Sequence, residues 1–211
     1  MDVFLTMCDY WLWFVAYSIA GWIYEMLIFR VTEKKFVRRG FLYGPFCPIY
    51  GAGAVLFWLT LRWVPDVIRP MIPNAVGAFF VEGIILFLLG GFMACVMEYV
   101  TSAILEHCFH TRWWDYFRNR FNIKGRVCLL GFTAFGAFAV LIIEFLQPWV
   151  VWVTDQIWDT AIMIAAIATG AWMLLDFIFT LVRVIRNRNN VTLDPPPAKS
   201  SDKDRCAAKR A

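Results

Sequence analysis

The sequence is poor in charge and almost free of histidine. Charged residues make up 17% of the 211 positions, and only two residues are His. A soluble domain has about one quarter charged residues and about half apolar ones. Here 61% of the residues are hydrophobic and the mean hydropathy is +0.61. Composition therefore excludes an ordinary soluble domain and indicates a chain that lies in lipid.

Motifs of nucleotide, redox and nucleophilic chemistry are also missing. No G-x-x-x-x-G-K-[ST] sequence occurs, and Gly51-Ala-Gly53 lacks the third glycine of a dinucleotide fingerprint. None of the six Cys forms a C-x-x-C pair, so we interpret them as packing residues. The run Glu106-His107-Cys108-x-His110 offers metal-ligand types without a second ligand group. We predict no catalytic residue, no cofactor and no metal site.

Long apolar runs dominate what is present. They occupy about residues 10–29, 46–68, 77–105, 126–153 and 158–182, and each can cross roughly 30 Å of hydrocarbon. No Lys or Arg precedes the first run, so we expect it to remain as a helix and not to be cleaved as a signal peptide. Helices satisfy their own backbone in lipid. The sequence predicts an all-α polytopic membrane bundle of about five helices over residues 1–186, with a polar, disordered cytoplasmic tail over residues 187–211.

Basic residues sort to one side of these runs. Of the 20 Lys and Arg residues, only Arg62 and Arg69 do not follow the first, third or fifth run. Cytoplasmic loops carry the excess of basic residues in membrane proteins. This distribution predicts a multi-pass protein of the cell membrane with its N-terminus outside and its C-terminus in the cytoplasm. The bilayer is then the expected partner of these charges, and no nucleic-acid partner is expected.

Two pairs of runs resemble each other. Glu25 and Glu98 lie at equivalent depth in the first and third runs, and each is followed at the same offset by Glu-x-x-Phe. The second and fourth runs then begin with Gly44-x-x-Cys47 and Gly125-x-x-Cys128. We interpret this as two duplicated parallel hairpins plus a fifth helix, a form of repeat common in membrane transporters.

Carboxylates inside these runs are the first candidates for a functional site, because a charge in lipid is costly. Glu82 and Glu144 lie near the outer interface, where water could solvate them. Glu25, Glu98 and Asp176 lie in the inner halves. They could bind a cation or a polar substrate that faces the cytoplasm. Alternatively, each pairs with a loop arginine and holds the fold. The candidate residues for substrate or ion binding are Glu25, Glu98, Arg39, Tyr43, Arg126 and Asp176.

Two loop segments stand out. The segment from Arg38 to Gly51 carries glycines and prolines that prevent a plain helix at its start, and predicts an irregular, partly re-entrant beginning of the second span. The second basic loop interleaves aromatic and charged residues and predicts an interfacial helix in the headgroup layer, which could also dock a partner. The residues expected to make that contact are Arg112, Trp113, Trp114, Asp115 and Tyr116.

Several long motifs together resemble one family. They are Gly21-Trp22-x-x-Glu25, the stretch from Arg39 to Gly51, Glu98-Tyr99-x-Thr101-Ser102, Trp113-Trp114-Asp115-Tyr116 and the stretch from Gly125 to Leu129. From about residue 10 to about residue 150, the chain resembles the CmpB-type family of ABC transporter permeases. The resemblance implies a small multi-spanning permease whose ATPase is a separate chain.

Two functions of different class follow. The first is a permease component that moves a small solute between the duplicated hairpins. Five helices are few for a complete pore, so this function requires a homodimer or a second membrane subunit. The second is a non-transporting protein, either a membrane scaffold or regulator or a lipid-headgroup enzyme, that uses the same polar inner rim.

Overall fold

The computed structural model describes residues 3–33, 40–109 and 114–186. The predictions for Arg39, Arg112, Trp113 and the tail 187–211 lie outside these residues. The helices in the described ranges are α1 (Val3–Glu33), α2 (Pro48–Leu61), α3 (Trp63–Met71), α4 (Ala75–Phe109), α5 (Leu129–Leu141), α6 (Gln147–Thr154) and α7 (Asp159–Arg186). A π-helical turn, Ile142–Leu146, joins α5 to α6. Before α5, the short strands β1 (Asn122–Ile123) and β2 (Val127–Cys128) pair antiparallel.

Five helical stretches in the described residues are long and apolar enough to cross a membrane. They are Val3–Val31, Pro48–Met71, Ala75–Cys108, Leu129–Thr154 and Asp159–Val184. The second stretch combines α2 with α3, and the fourth combines α5, the π-helical turn and α6. The all-α polytopic bundle is therefore confirmed, and the protein is a multi-pass membrane protein. The first helix begins at Val3, earlier than the predicted span.

Local sequence explains where several helices begin. Pro48 occupies the first turn of α2, where a missing N–H costs nothing. At the start of α4, the Asn74 side chain accepts hydrogen bonds from the backbone N–H groups of Val76 and Gly77, at 2.9 and 3.2 Å. An Asn in this position satisfies donors that have no partner inside the helix.

The helices pack as two hairpins, with α1 against α2 and α4 against α5, while α7 packs on α1. Small residues permit the close approach. A Cβ on Gly51 of α2 would collide with the Phe14 carbonyl of α1, and one on Gly136 of α5 would lie 2.6 Å from the Phe87 carbonyl oxygen of α4. The largest buried apolar cluster lies between α2, α4 and α5 and includes Phe57.

The second helix of each hairpin, α2 or α5, begins immediately after a cysteine. Cys47 is the N-cap residue of α2, and its backbone N–H donates to the Ser18 carbonyl at 2.9 Å. Cys128 is the N-cap residue of α5, and its sulfur accepts from the backbone N–H of Gly131 at 3.4 Å. The two cysteines thus take equivalent places in the two hairpins.

The predicted interfacial helix is wrong for the described part of the second basic loop. Residues from Trp114 to Arg118 contain no helix and lead into the β1–β2 hairpin. The Trp114 indole donates to the Arg126 carbonyl at 3.0 Å, and the Asp115 carboxylate accepts from the Phe117 N–H at 3.0 Å. These side chains satisfy the loop's own backbone, and that local bonding competes with a helix.

Candidate functional site

A cavity of about 990 Å³ lies between α1, α2, α4, α5 and α7. Most of its lining is apolar or aromatic, contributed by residues such as Phe14, Phe57 and Phe138. Three carboxylates also line it, those of Glu25, Glu98 and Asp115. The described residues that line the cavity include no Lys, Arg or His. The cavity is therefore an apolar space with a net acidic wall.

Glu25 reaches the cavity from α1 and is held by a tyrosine of α2. The Tyr50 hydroxyl donates a hydrogen bond to the Glu25 Oε1 at 2.5 Å. Tyr50 lies where α2 crosses α1, because Gly21 leaves room for its ring. The contact joins the two helices of the first hairpin at the level of the acid.

Glu98 reaches the cavity from α4 and is 6% exposed. Its Oε1 accepts a hydrogen bond from the Tyr116 hydroxyl at 3.3 Å. Its Oε2 is buried and has no hydrogen-bond partner among the described residues. An unpartnered carboxylate oxygen in an apolar setting is costly and is a recurrent feature of binding sites.

Tyr116 is a hydrogen-bond donor beside Glu98. Burial raises the pKa of the Tyr116 phenol far above its usual value, and the nearby carboxylates of Glu98 and Glu25 raise it further. The phenol is therefore neutral at physiological pH. Glu25, Glu98 and Tyr116 all line the same cavity.

Asp176 has a different role from the other two inner acids. It accepts hydrogen bonds from the backbone N–H groups of Tyr43 at 3.1 Å and Gly44 at 2.7 Å. The acid thus ties residues 40–47, which we name the Gly-Pro segment, to α7. This segment is irregular, as expected, and Gly40, with φ of 109°, belongs to the cavity lining.

Tyr43 lies on the outside of the Gly-Pro segment. Its side chain is 50% exposed, and its ring lies 5.9 Å from that of Phe179. The Arg183 guanidinium lies 5.8 Å from the same ring. Tyr43 and Asp176 do not line the cavity, so the structure separates them from Glu25 and Glu98.

Arg126 forms an ion pair with Glu106 and not with one of the inner acids. Its Nη2 lies 2.7 Å from the Glu106 Oε2, and its guanidinium lies 5.2 Å from the centre of the Tyr99 ring. The described contacts of Glu25 and Glu98 are with tyrosines and not with arginine.

The structure places Trp114, Asp115 and Tyr116 in the cavity lining. Trp114 and Tyr116 are partly buried, whereas Asp115 is exposed. The loop thus reaches the cavity beside Glu98, to which the Tyr116 hydroxyl donates. The contact of these residues with headgroups or a partner stays a prediction.

These features agree with a family comparison. A family model described as "Putative ABC-transporter type IV" matches residues 12–181. The chain belongs to this family. No curated protein and no solved structure matches the chain. Membership in this family supports a role as a membrane component of an ABC-type transporter. The solute and the residues that bind it follow only from the site.

The sequence pattern does not identify two further residues of the site, Tyr50 and Cys47. Tyr50 was not distinguished from the other aromatic residues, although its place three residues after Cys47 was visible. Cys47 also lines the cavity. Burial raises the pKa of its thiol to about 12, with a smaller contribution from Glu25, so the group is a neutral thiol and not a nucleophilic thiolate.

A second set of charges lies at the opposite end of the bundle. Arg69 approaches Glu82 with its Nε at 3.1 Å and Glu144 with its Nη2 at 2.7 Å. The sequence leaves open that water solvates the two acids, but their side chains are only 2% and 4% exposed. Glu144 belongs to the π-helical turn. This triad binds the second, third and fourth spans together and is a structural element.

Proposed function

We propose that the chain is the permease component of an ABC-type transporter, and that the cavity with Glu25 and Glu98 is its solute site. The observation that carries this proposal is the Glu98 Oε2, which is buried without a partner in a cavity between membrane-spanning helices. Ionisable residues in such positions mark substrate or ion pathways. Asp176, which does not line the cavity, has both carboxylate oxygens bonded to backbone N–H groups.

We further propose that the two hairpins are duplicated halves. Equivalent cysteines begin α2 and α5, and an acid of the preceding helix lies beside each returning helix. Parallel repeats commonly enclose a binding site at their interface. The cavity lies between these two hairpins, as that arrangement requires.

The proposed orientation places the N-terminus outside and the C-terminus in the cytoplasm. The contacts of Asp176 and Arg183 with Tyr43 bring the end of α7 beside the Gly-Pro segment. This segment directly follows the first group of basic residues in the sequence, which supports one basic face for the first loop and the end of α7. A reporter fused after Val182 should be active only as a cytoplasmic reporter. Activity of an extracytoplasmic reporter at that position would reverse the orientation.

The ATPase is proposed to be a separate chain that docks at the basic face, because the sequence has no P-loop. Five spans supply few helices for a pore, so we propose that two copies, or one copy and a second membrane subunit, complete it. The bilayer covers the remaining apolar surface.

Transport by the purified complex tests the proposal. The chain would be purified in mild detergent with its copurifying ATPase and reconstituted in vesicles. ATP-dependent solute movement is expected for the wild type and for Asp155→Asn, which removes an exposed acid outside the cavity lining, and is expected to be lost in Glu98→Gln. Equal activity of Glu98→Gln would remove the cavity from the mechanism. Purification without any ATPase would instead favour a membrane scaffold, a regulator or a lipid-headgroup enzyme.

A further inference from the structure

The two halves of the cavity wall differ at one pair of equivalent positions. Three residues after Cys47 stands Tyr50, whose hydroxyl satisfies the Glu25 carboxylate. Three residues after Cys128 stands Gly131. A Cβ on Gly131 would lie 3.5 Å from the Glu98 Oε2, so this glycine is the position from which a side chain would meet the acid.

The consequence is an asymmetric site. The first hairpin provides a phenol that donates to Glu25, whereas the second hairpin provides no side chain at the same place. Each acid already accepts a tyrosine hydroxyl at its Oε1. The Glu98 Oε2 is in addition buried without a partner, so it is the oxygen that a ligand in the cavity would satisfy.

The surroundings of Glu98 restrict the chemistry of that ligand. The described cavity lining has acids and no basic residue, so it disfavours an anion. Its polar aromatic members can face a cation with their rings, and include Trp11, Tyr17, Tyr24, Tyr50, Trp114 and Tyr116. Such rings have less affinity for strongly hydrated metal ions. The described residues also contain no group of three or more His, Cys, Asp or Glu that could hold a metal ion.

We propose that the cavity binds a hydrophobic organic cation, such as a substituted ammonium or phosphonium, with Glu98 as its ionic ligand. This inference rests on the proposed function, since it names the class of solute that the permease would carry. The cavity volume of about 990 Å³ accommodates a molecule of several apolar groups around one charge. Carboxylate and aromatic faces together recognise a cation whose charge is weakly hydrated.

The test is equilibrium binding of radiolabelled tetraphenylphosphonium to the purified full chain in detergent. Saturable binding is expected for the wild type. Triphenylphosphine oxide, which is bulky, aromatic and uncharged, should not compete. The proposal would be overturned if the neutral compound displaced the probe as effectively as unlabelled tetraphenylphosphonium does. Absence of saturable binding would overturn it too.

Variants separate a charge effect from a packing effect. Glu98→Gln should weaken binding by about 30-fold or more, the loss typical when one partner of a desolvated charge pair is removed. Glu98→Asp keeps the charge and should stay within a few-fold of the wild type. Asp155→Asn, which removes an exposed acid outside the cavity lining, should bind as the wild type does. Unchanged affinity in Glu98→Gln would refute the assignment. If the Glu98→Gln variant were not monodisperse, competition by the neutral compound on the wild type would decide.

The outcomes for the two proposals are distinct, because binding is measured without ATP or an ATPase. Glu98-dependent binding of the cation, without ATP-driven movement in reconstituted vesicles, would support the site and contradict the permease function. ATP-driven movement of some other solute, without binding of the cation, would support the permease and contradict the solute class.

Discussion

Replacement of Gly136 by alanine tests the packing of the second hairpin. The added Cβ would lie 2.6 Å from the Phe87 carbonyl oxygen, whereas ordinary contacts begin at 3.4 Å. The obstacle is backbone of α4, which cannot rotate away as the end of a side chain can. The two helices must therefore separate by about 0.8 Å or tilt, and overpacking of this kind costs typically about 1–3 kcal/mol.

The matched control is Gly83→Ala in α4. A Cβ on Gly83 would have no atom within 4 Å, so this variant adds the same methyl group without a collision. Alanine also favours a helix more than glycine does, by about 1 kcal/mol in soluble helices. Gly83→Ala should therefore match the wild type or exceed it in stability.

Thermal unfolding in detergent, followed by circular dichroism or by loss of the monodisperse peak, compares the two variants. For a chain of this size, each kcal/mol lowers the melting temperature by about 2–4 °C. Gly136→Ala should melt several degrees below the wild type. Equal melting temperatures for Gly136→Ala and Gly83→Ala would refute the close approach of α4 and α5 at this position.

Two further substitutions test the charged contacts at opposite ends of the bundle. Arg69→Gln should destabilise the protein by about 3–5 kcal/mol, because Glu82 and Glu144 would remain buried without their cation; detergent melting checks this, and the triple neutral variant with both acids changed to Gln should recover much of the loss. Asp176→Asn should expose the Gly-Pro segment to protease, because its two backbone donors lose a charged acceptor; an unchanged digestion pattern would show that other contacts hold the segment.

The number of spans could be predicted because lipid imposes a length and an apolar composition that are visible residue by residue. That Glu25 and Glu98 turn inward could be predicted as well, because a charge that faces lipid is costly, and both acids line the cavity. Their hydrogen-bond partners could not be predicted. Tyr50 and Tyr116 reach the acids through packing between elements, which the local sequence does not specify.

The second basic loop shows why a local pattern can mislead. Its aromatic and charged residues indicated a helix in the headgroup layer. The structure instead uses Trp114 and Asp115 to bond the loop backbone, and Lys124 and Gly125, both with positive φ, to form the turn between the strands. The Asn122 side chain also accepts from the Gly125 N–H at 3.0 Å. The Trp114 bond spans 12 residues and the Asp115 bond spans two, and neither spacing belongs to a helix, so helical periodicity does not reveal these contacts.

Cross-linking tests whether Glu25 and Glu98 face one cavity. The double variant Glu25→Cys, Glu98→Cys would be treated in membranes with short bifunctional thiol reagents, and mass spectrometry would identify the linked pairs among the native cysteines. A second double variant, Glu25→Cys with Val100→Cys, is the control, because Val100 also lies on α4 but is 48% exposed and outside the cavity lining. The account predicts a link between positions 25 and 98, reduced by tetraphenylphosphonium, and none between 25 and 100. A link to position 100 without one to position 98 would contradict it.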